Sequence, residues 1–177
     1  MQVQEFEKQV SNALDLARPE KDLRYYIEIE RDNREAYGPG MLYLIDRDGA
    51  PDGEVIFSCP VITGPKDKLN PKKLSNITPP ISWCMVEKIC KRDHPHSGRK
   101  PMTMARIYPV YEEEMDEYGD RTYKLTGQSY PFMIHLAGST TGCIAILKQW
   151  FEKAVTMLNQ CWEKNGGSLE IFIFDVN

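Results

Sequence analysis

From Leu23 onward the apolar residues fall at every second position, and that spacing constrains the fold more than any other feature of the chain. Tyr25, Ile27 and Ile29 alternate with polar residues as a half-buried strand does, and Gly38-Pro39-Gly40 reads as the turn that follows. Met41 to Ile45 reads as a second strand and Glu54 to Pro60 as a third. Between them RDGAPDG (47–53) carries two Asp-Gly dipeptides and a proline. The three segments predict an antiparallel meander. Ahead of it, Phe6, Val10, Ala13, Leu14 and Ala17 stand at three- and four-residue spacings, which predicts a short amphipathic helix over 4–18 ended by Pro19.

Further along, TGPKDKLNPKKLSNITPP (63–80) is rich in Pro, Asn and Lys and reads as a long surface loop. Its four lysines suit a lid over a site or contacts to peptide carboxylates. Ser82 to Ile89 reads as a strand, KRDHPHSGRKP (91–101) as a polar loop and Thr103 to Tyr111 as a strand. EEEMDEYGDR (112–121) reads as a solvated loop or hairpin tip. Phe132 to Leu136 is a short buried strand by composition, followed by the small-residue loop AGSTTG (137–142). A helix is expected soon after Cys143, with Ile146, Trp150, Ala154, Met157, Leu158 and Cys161 on one face and Gly166-Gly167 as its stop. LEIFIFD (169–175) closes the chain as a strand. With 177 residues, 41% hydrophobic, the chain suffices for one core, so a single domain over 1–177 is expected. Its class is mainly β (β-rich α+β), with an N-terminal helix within 1–20 and a helix after Cys143.

The charge balance, 22 basic against 26 acidic residues, leaves no electrostatic footprint for nucleic acid or an anionic membrane. No run of about 18 apolar residues occurs, so no membrane span is expected. The N-terminus carries acids and amides where a signal peptide needs a basic start and an apolar stretch, which predicts synthesis in the cytoplasm without a leader. The five cysteines, 59, 84, 90, 143 and 161, are an odd set without a disulfide framework, and a mainly reduced chain is expected.

The chemistry concentrates in PFMIHLAGSTTGCIAI (131–146). A histidine ending a buried strand and a cysteine eight residues later, across a loop of Gly, Ser and Thr, can fold back so that imidazole and thiol meet. Imidazole would then take the thiol proton and return it to a departing amine. Backbone N–H groups around Gly142 and Cys143 could hold an oxyanion, and the dipole of a helix starting near Cys143 would favour the thiolate. The plain alternative is a packed His/Cys pair with no chemistry. Cys59 and Cys161 suit apolar, structural surroundings. Cys84, Cys90, His94 and His96 form a C-x5-C-x3-H-x-H series whose spacing does not fit a zinc knuckle, so neither metal nor cofactor is expected. Tyr130, close to His135, is a candidate pocket wall.

STTGCI resembles the [S/T]-x-G-C-[I/V] signature of the L,D-transpeptidase (YkuD-type) superfamily, and FMIH is similar to the apolar strand ending in His that precedes it. CPVITGP (59–65) and NITPPISW (76–83) are similar to its P-V-x-T-G and T-P-x-G segments, so the resemblance covers roughly residues 23–147. With MARIYP (104–109) and GQSYPFMIH (127–135), it looks most like the branch used as interbacterial, type VI secretion effectors. The resemblance implies a β-sandwich or barrel and a cysteine enzyme acting on the tetrapeptide stem of peptidoglycan. In it Cys143 attacks the carbonyl of the third stem residue, typically meso-diaminopimelate, and D-alanine leaves. His135 is the base, oriented by a backbone carbonyl near Leu136, and Gly142 and Cys143 supply oxyanion N–H groups. Ser139, Thr140 and Thr141 line the pocket with Tyr130. An amine or water resolves the acyl-enzyme. Implied partners are the stem peptide, an immunity protein and a secretion carrier, with action in the periplasm or cell wall of a target bacterium.

Three departures from the family pattern stand in the chain. Thr141 replaces a usual His, Ala145 replaces a common Arg, and the His-to-Cys separation is short. Anchoring of a substrate carboxylate then falls to another cation. Arg106 is the candidate, its alternative being an exposed strand arginine paired with one of Glu112 to Glu114. Two other functions remain beside the leading one: a cysteine peptidase or amidase of other specificity, and an inert binding domain of the same fold.

Overall fold

The structure is a computed structural model that describes residues 3–16, 22–32, 39–63, 82–94, 98–109, 111–115, 117–118, 121–125, 132–136 and 144–176. Helix α1 (Val3–Leu16) precedes the meander β1 (Tyr25–Asp32), β2 (Pro39–Asp46) and β3 (Glu54–Ile62). Then come β4 (Ser82–Met85), β5 (Cys90–Arg92), β6 (Met102–Pro109), β7 (Tyr111–Met115), β8 (Arg121–Leu125), β9 (Phe132–Leu136) and β10 (Ile144–Ile146). Helix α2 (Lys148–Lys164) and β11 (Leu169–Val176) complete the chain. Eight strands form a closed ring in the order β4-β11-β1-β2-β3-β10-β9-β6, with β6 returning to β4, and β5 adds to β6 as an extra strand. The β1–β11 and β9–β10 pairs are parallel and the other ring pairs antiparallel.

The alternation seen in the sequence decides which side chains enter the barrel. Ile27 and Ile29, Leu42 and Leu44, Cys59 and Val61 are all buried in one cluster, together with Ala105, Ile107, Ile134, Ile144, Leu169 and Ile171. Each large aliphatic side chain buried this way contributes about 1.5–3 kcal/mol. Helix α2 belongs to the same cluster through Ala154, Leu158 and Cys161. Its polar side chains tie it to the ends of four strands, β4, β5, β1 and β11. Trp162 Nε1 donates to the Met85 carbonyl (3.0 Å), and Asn159 makes a two-way pair with the Ile89 backbone (2.8 and 3.0 Å). Asn165 accepts from Tyr25 N (3.1 Å) and donates to the Tyr25 and Ser168 carbonyls (2.8 and 2.9 Å). On the barrel's outer side the α1 carbonyl of Ala13 accepts from Ser168 Oγ at 3.0 Å.

Three local expectations change. Pro39 and Gly40 open β2 instead of forming the turn. A Cβ on Gly40 would lie 2.5 Å from the Glu30 carbonyl oxygen, so close backbone approach is what demands glycine there. The strand expected over 82–89 stops at Met85, and Cys90–Arg92, expected to lead into a loop, pairs with β6. The hairpin reading of 112–121 agrees with the antiparallel pairing of β7 with β8, which takes 112–115 and 121 into strand. Finally, Ile146, expected on the face of the helix that follows Cys143, belongs to β10, and α2 starts at Lys148. Among the described residues no helix is long and apolar enough to cross a membrane.

Candidate functional site

Strand β9 sends Ile134 into the core, and His135 therefore points to the other face of the wall. On that face His135 lies between Ala145 of β10, its parallel partner, and Met104 of β6, its antiparallel partner. The imidazole is only 6% exposed. Its Nδ1 lies 2.6 Å from the Leu136 carbonyl oxygen. A carbonyl can only accept, so Nδ1 carries the proton and Nε2 is the proton-accepting nitrogen. Burial pulls the His135 pKa below its usual value, and the Leu136 hydrogen bond opposes this in part. The ring is thus held in one tautomer and kept neutral. Leu136 itself is 40% exposed beside it.

Arg106 occupies the same face. Across the β6–β9 ladder it pairs with Met133, two residues before His135, which puts the Arg106 and His135 backbones at a diagonal separation of about 7–8 Å. Among the described residues it pairs with Glu87, which the sequence did not single out; the side chains of Glu112 to Glu114 lie outside the described residues. Glu87 is 0% exposed. Its Oε1 accepts from Arg106 N (3.0 Å) and Nε (2.9 Å), and its Oε2 accepts from Nη2 (2.8 Å). The physical reason lies in the break between β4 and β5. Val86 N still donates to the Arg106 carbonyl (3.3 Å), but the strand then leaves the ladder, and the Glu87 carboxylate replaces the missing backbone acceptor. A second guanidinium adjoins it, Arg92 Nε standing 3.3 Å from Glu87 Oε1.

Of the residues singled out from sequence, His135, Leu136 and Arg106 are thus brought to one region of the sheet. Cys143, Gly142, Thr141, Thr140, Ser139 and Tyr130 lie outside the described residues, as do residues 64–81 and His96. Covalently, Cys143 adjoins Ile144, the first residue of β10, whose partner on β9 is Ile134. Cys59 and Cys161 are buried in the core cluster, and burial pushes both thiols up to about 11. Cys84 is fully buried beside Ser168 Oγ (3.0 Å), its thiol pushed up to about 12, whereas Cys90 is exposed on β5. Glu87 carried one signal in the sequence: a single acid inside the apolar run WCMVEKI, where an uncompensated charge is costly.

Against family models, curated proteins and solved structures the chain finds no match. What the region can do chemically is therefore set by its own groups. Among the described residues no three His, Cys, Asp or Glu side chains converge to hold a metal ion. Those groups are a neutral, tautomerically fixed base and, one strand away, a two-arginine cluster around one buried carboxylate. They suit proton transfer next to an anionic group.

Proposed function

We propose that the protein is a cysteine-dependent L,D-transpeptidase or L,D-carboxypeptidase acting on peptidoglycan tetrapeptide stems, delivered as an antibacterial effector toxin. The observation that carries this is His135: a buried, neutral imidazole with Nδ1 bound to the Leu136 carbonyl, on the strand paired with β10, whose first residue adjoins Cys143. Such a base needs an acid to deprotonate, and Cys143 is the nucleophile the local sequence offers.

In this mechanism the Cys143 thiol gives its proton to His135 Nε2 and the thiolate adds to the carbonyl of the third stem residue. Gly142 and Cys143 N–H groups hold the oxyanion. The tetrahedral species collapses with cleavage of the C–N bond, His135 returns the proton to the departing amine of D-alanine, and a thioester remains. Water then gives the tripeptide, or another amine gives exchange or a cross-link. Tyr130, Ser139, Thr140 and Thr141 line the stem, and the arginine cluster at Arg106 forms the cationic end of the pocket. The test is incubation with purified tetrapeptide muropeptides, following D-alanine release or D-amino-acid exchange by mass spectrometry. Conversion by wild type and none by Cys143→Ala is expected. Equal, negligible conversion by both removes the assignment.

A further inference from the structure

Among the described residues the cluster on the His135 face contains two guanidiniums and one carboxylate, a formal sum of one positive charge. Glu87 serves the two arginines unequally. Arg106 takes both carboxylate oxygens with its side chain and also gives Oε1 its backbone N–H. Arg92 comes to 3.3 Å of Oε1 as an ion pair, yet its buried Nε has no hydrogen-bond acceptor among the described residues. The arginine is nonetheless held: Nη2 donates to the Lys88 carbonyl at 2.9 Å, and Lys88 in turn pairs with Glu163 of α2. A buried N–H without an acceptor raises the energy of the empty state, and an incoming anionic oxygen relieves it. About a fifth of the Arg92 side chain, 21%, remains exposed while Nε itself is closed to solvent, so an anion meets the exposed part of the guanidinium first and reaches Nε as the side chain shifts.

We infer that Arg92 is the specificity-determining cation of this face and binds the terminal carboxylate of a peptide, while Arg106, clasped by Glu87, is a positioning residue. The planar guanidinium fork matches a carboxylate, and the single net charge of the cluster suits a monoanion better than a phosphate dianion. Arg92 pairs with Met102 and Arg106 with Met133, so both share the sheet face that carries His135. Strand β6 alone separates the Arg92 strand from the His135 strand. The inference deepens the proposed peptidase or transpeptidase activity and takes the identity of its peptide from that proposal.

The experiment uses a probe that needs no turnover. The wild-type chain, labelled with nitrogen-15, is titrated with N-acetyl-D-alanine, with N-acetyl-D-alaninamide and with inorganic phosphate, following the arginine Nε–H resonances. The acid is expected to shift the Arg92 resonance and to bind about ten-fold or more tightly than the amide, with phosphate weaker than the acid. Arg92→Gln should abolish the preference for acid over amide. Arg92→Lys keeps the charge and loses the Nε donor, so it should retain little of that preference; it serves where the Gln variant does not fold. Equal binding of acid and amide, a preference that survives both variants, or phosphate binding as tightly as the acid would overturn the assignment. Failure of the muropeptide assay with this preference intact would remove the enzymatic proposal alone.

Discussion

Glu87 and Arg106 are joined through both backbone and side chain: one buried carboxylate closes the gap between β4 and β5 and fixes the arginine that flanks the His135 strand. Removing the charge strands two guanidiniums beside each other and leaves a ladder N–H with a poorer acceptor. Breaking a buried pair in this way costs about 3–5 kcal/mol. The lower end is expected here, because Arg106 and Arg92 keep 27% and 21% of their side chains exposed. Glu87→Gln should therefore lower the thermal midpoint by roughly ten degrees in a calorimetric scan. A midpoint within two degrees of wild type would show that the carboxylate does not hold the β4–β5 break together.

The cysteines make a second prediction. Cys59, Cys84 and Cys161 are buried and their thiols are pushed up to about 11, 12 and 11, so none reacts appreciably with a thiol reagent at neutral pH. Cys90 is exposed and should label in the native protein. In a Cys90→Ser background the remaining fast label should map to Cys143 and slow by about ten-fold or more on His135→Ala. Slow labelling of Cys143 that is indifferent to His135 favours the inert binding domain.

The meander, the N-terminal helix, the His135 strand and the closing strand were legible because each carries its period over several residues. Tyr25, Ile27 and Ile29 enter the core as their alternation predicts. Strands β5 and β10 were not, since each has three residues and exists through pairing alone. Ile144–Ile146 is a continuous apolar run that spacing cannot tell from a first helical turn, and Cys90–Arg92 reads as polar chain until β6 supplies its partner. The same limit hid the site's second half. Nothing local links Glu87 to Arg106, 19 residues on; closure of the barrel brings them together.

Histidine titration gives a direct readout of the base. Burial lowers the His135 pKa beneath the usual 6.5, so the neutral, proton-accepting form persists through that pH and is lost only below it. The acid limb of kcat/KM for D-alanine release should thus fall below pH 6.5. A limb centred above 7 would require His135 to be stabilised as a cation, contrary to its buried setting.

Glu170 gives the chain a separate dependence on pH, far from this chemistry. It lies on β11 between Tyr26 of β1 and Cys84 of β4. Burial pushes its carboxyl from an ordinary 4.5 up to about 7, with Arg47 opposing and Asp22 adding to the shift. A raised carboxylate value means that the folded state holds the proton more tightly than the unfolded chain. The stability this gives is complete below 4.5 and is lost as pH rises from there through about 7. Between pH 5 and pH 8 the loss should reach roughly 2 kcal/mol, since solvent at this partly exposed position reduces the full value. Glu170→Gln keeps the shape and removes the titration, so its unfolding free energy in urea should change less than that of wild type across the same interval. Parallel curves for the two proteins would mean that Glu170 ionises in the folded state as readily as in water.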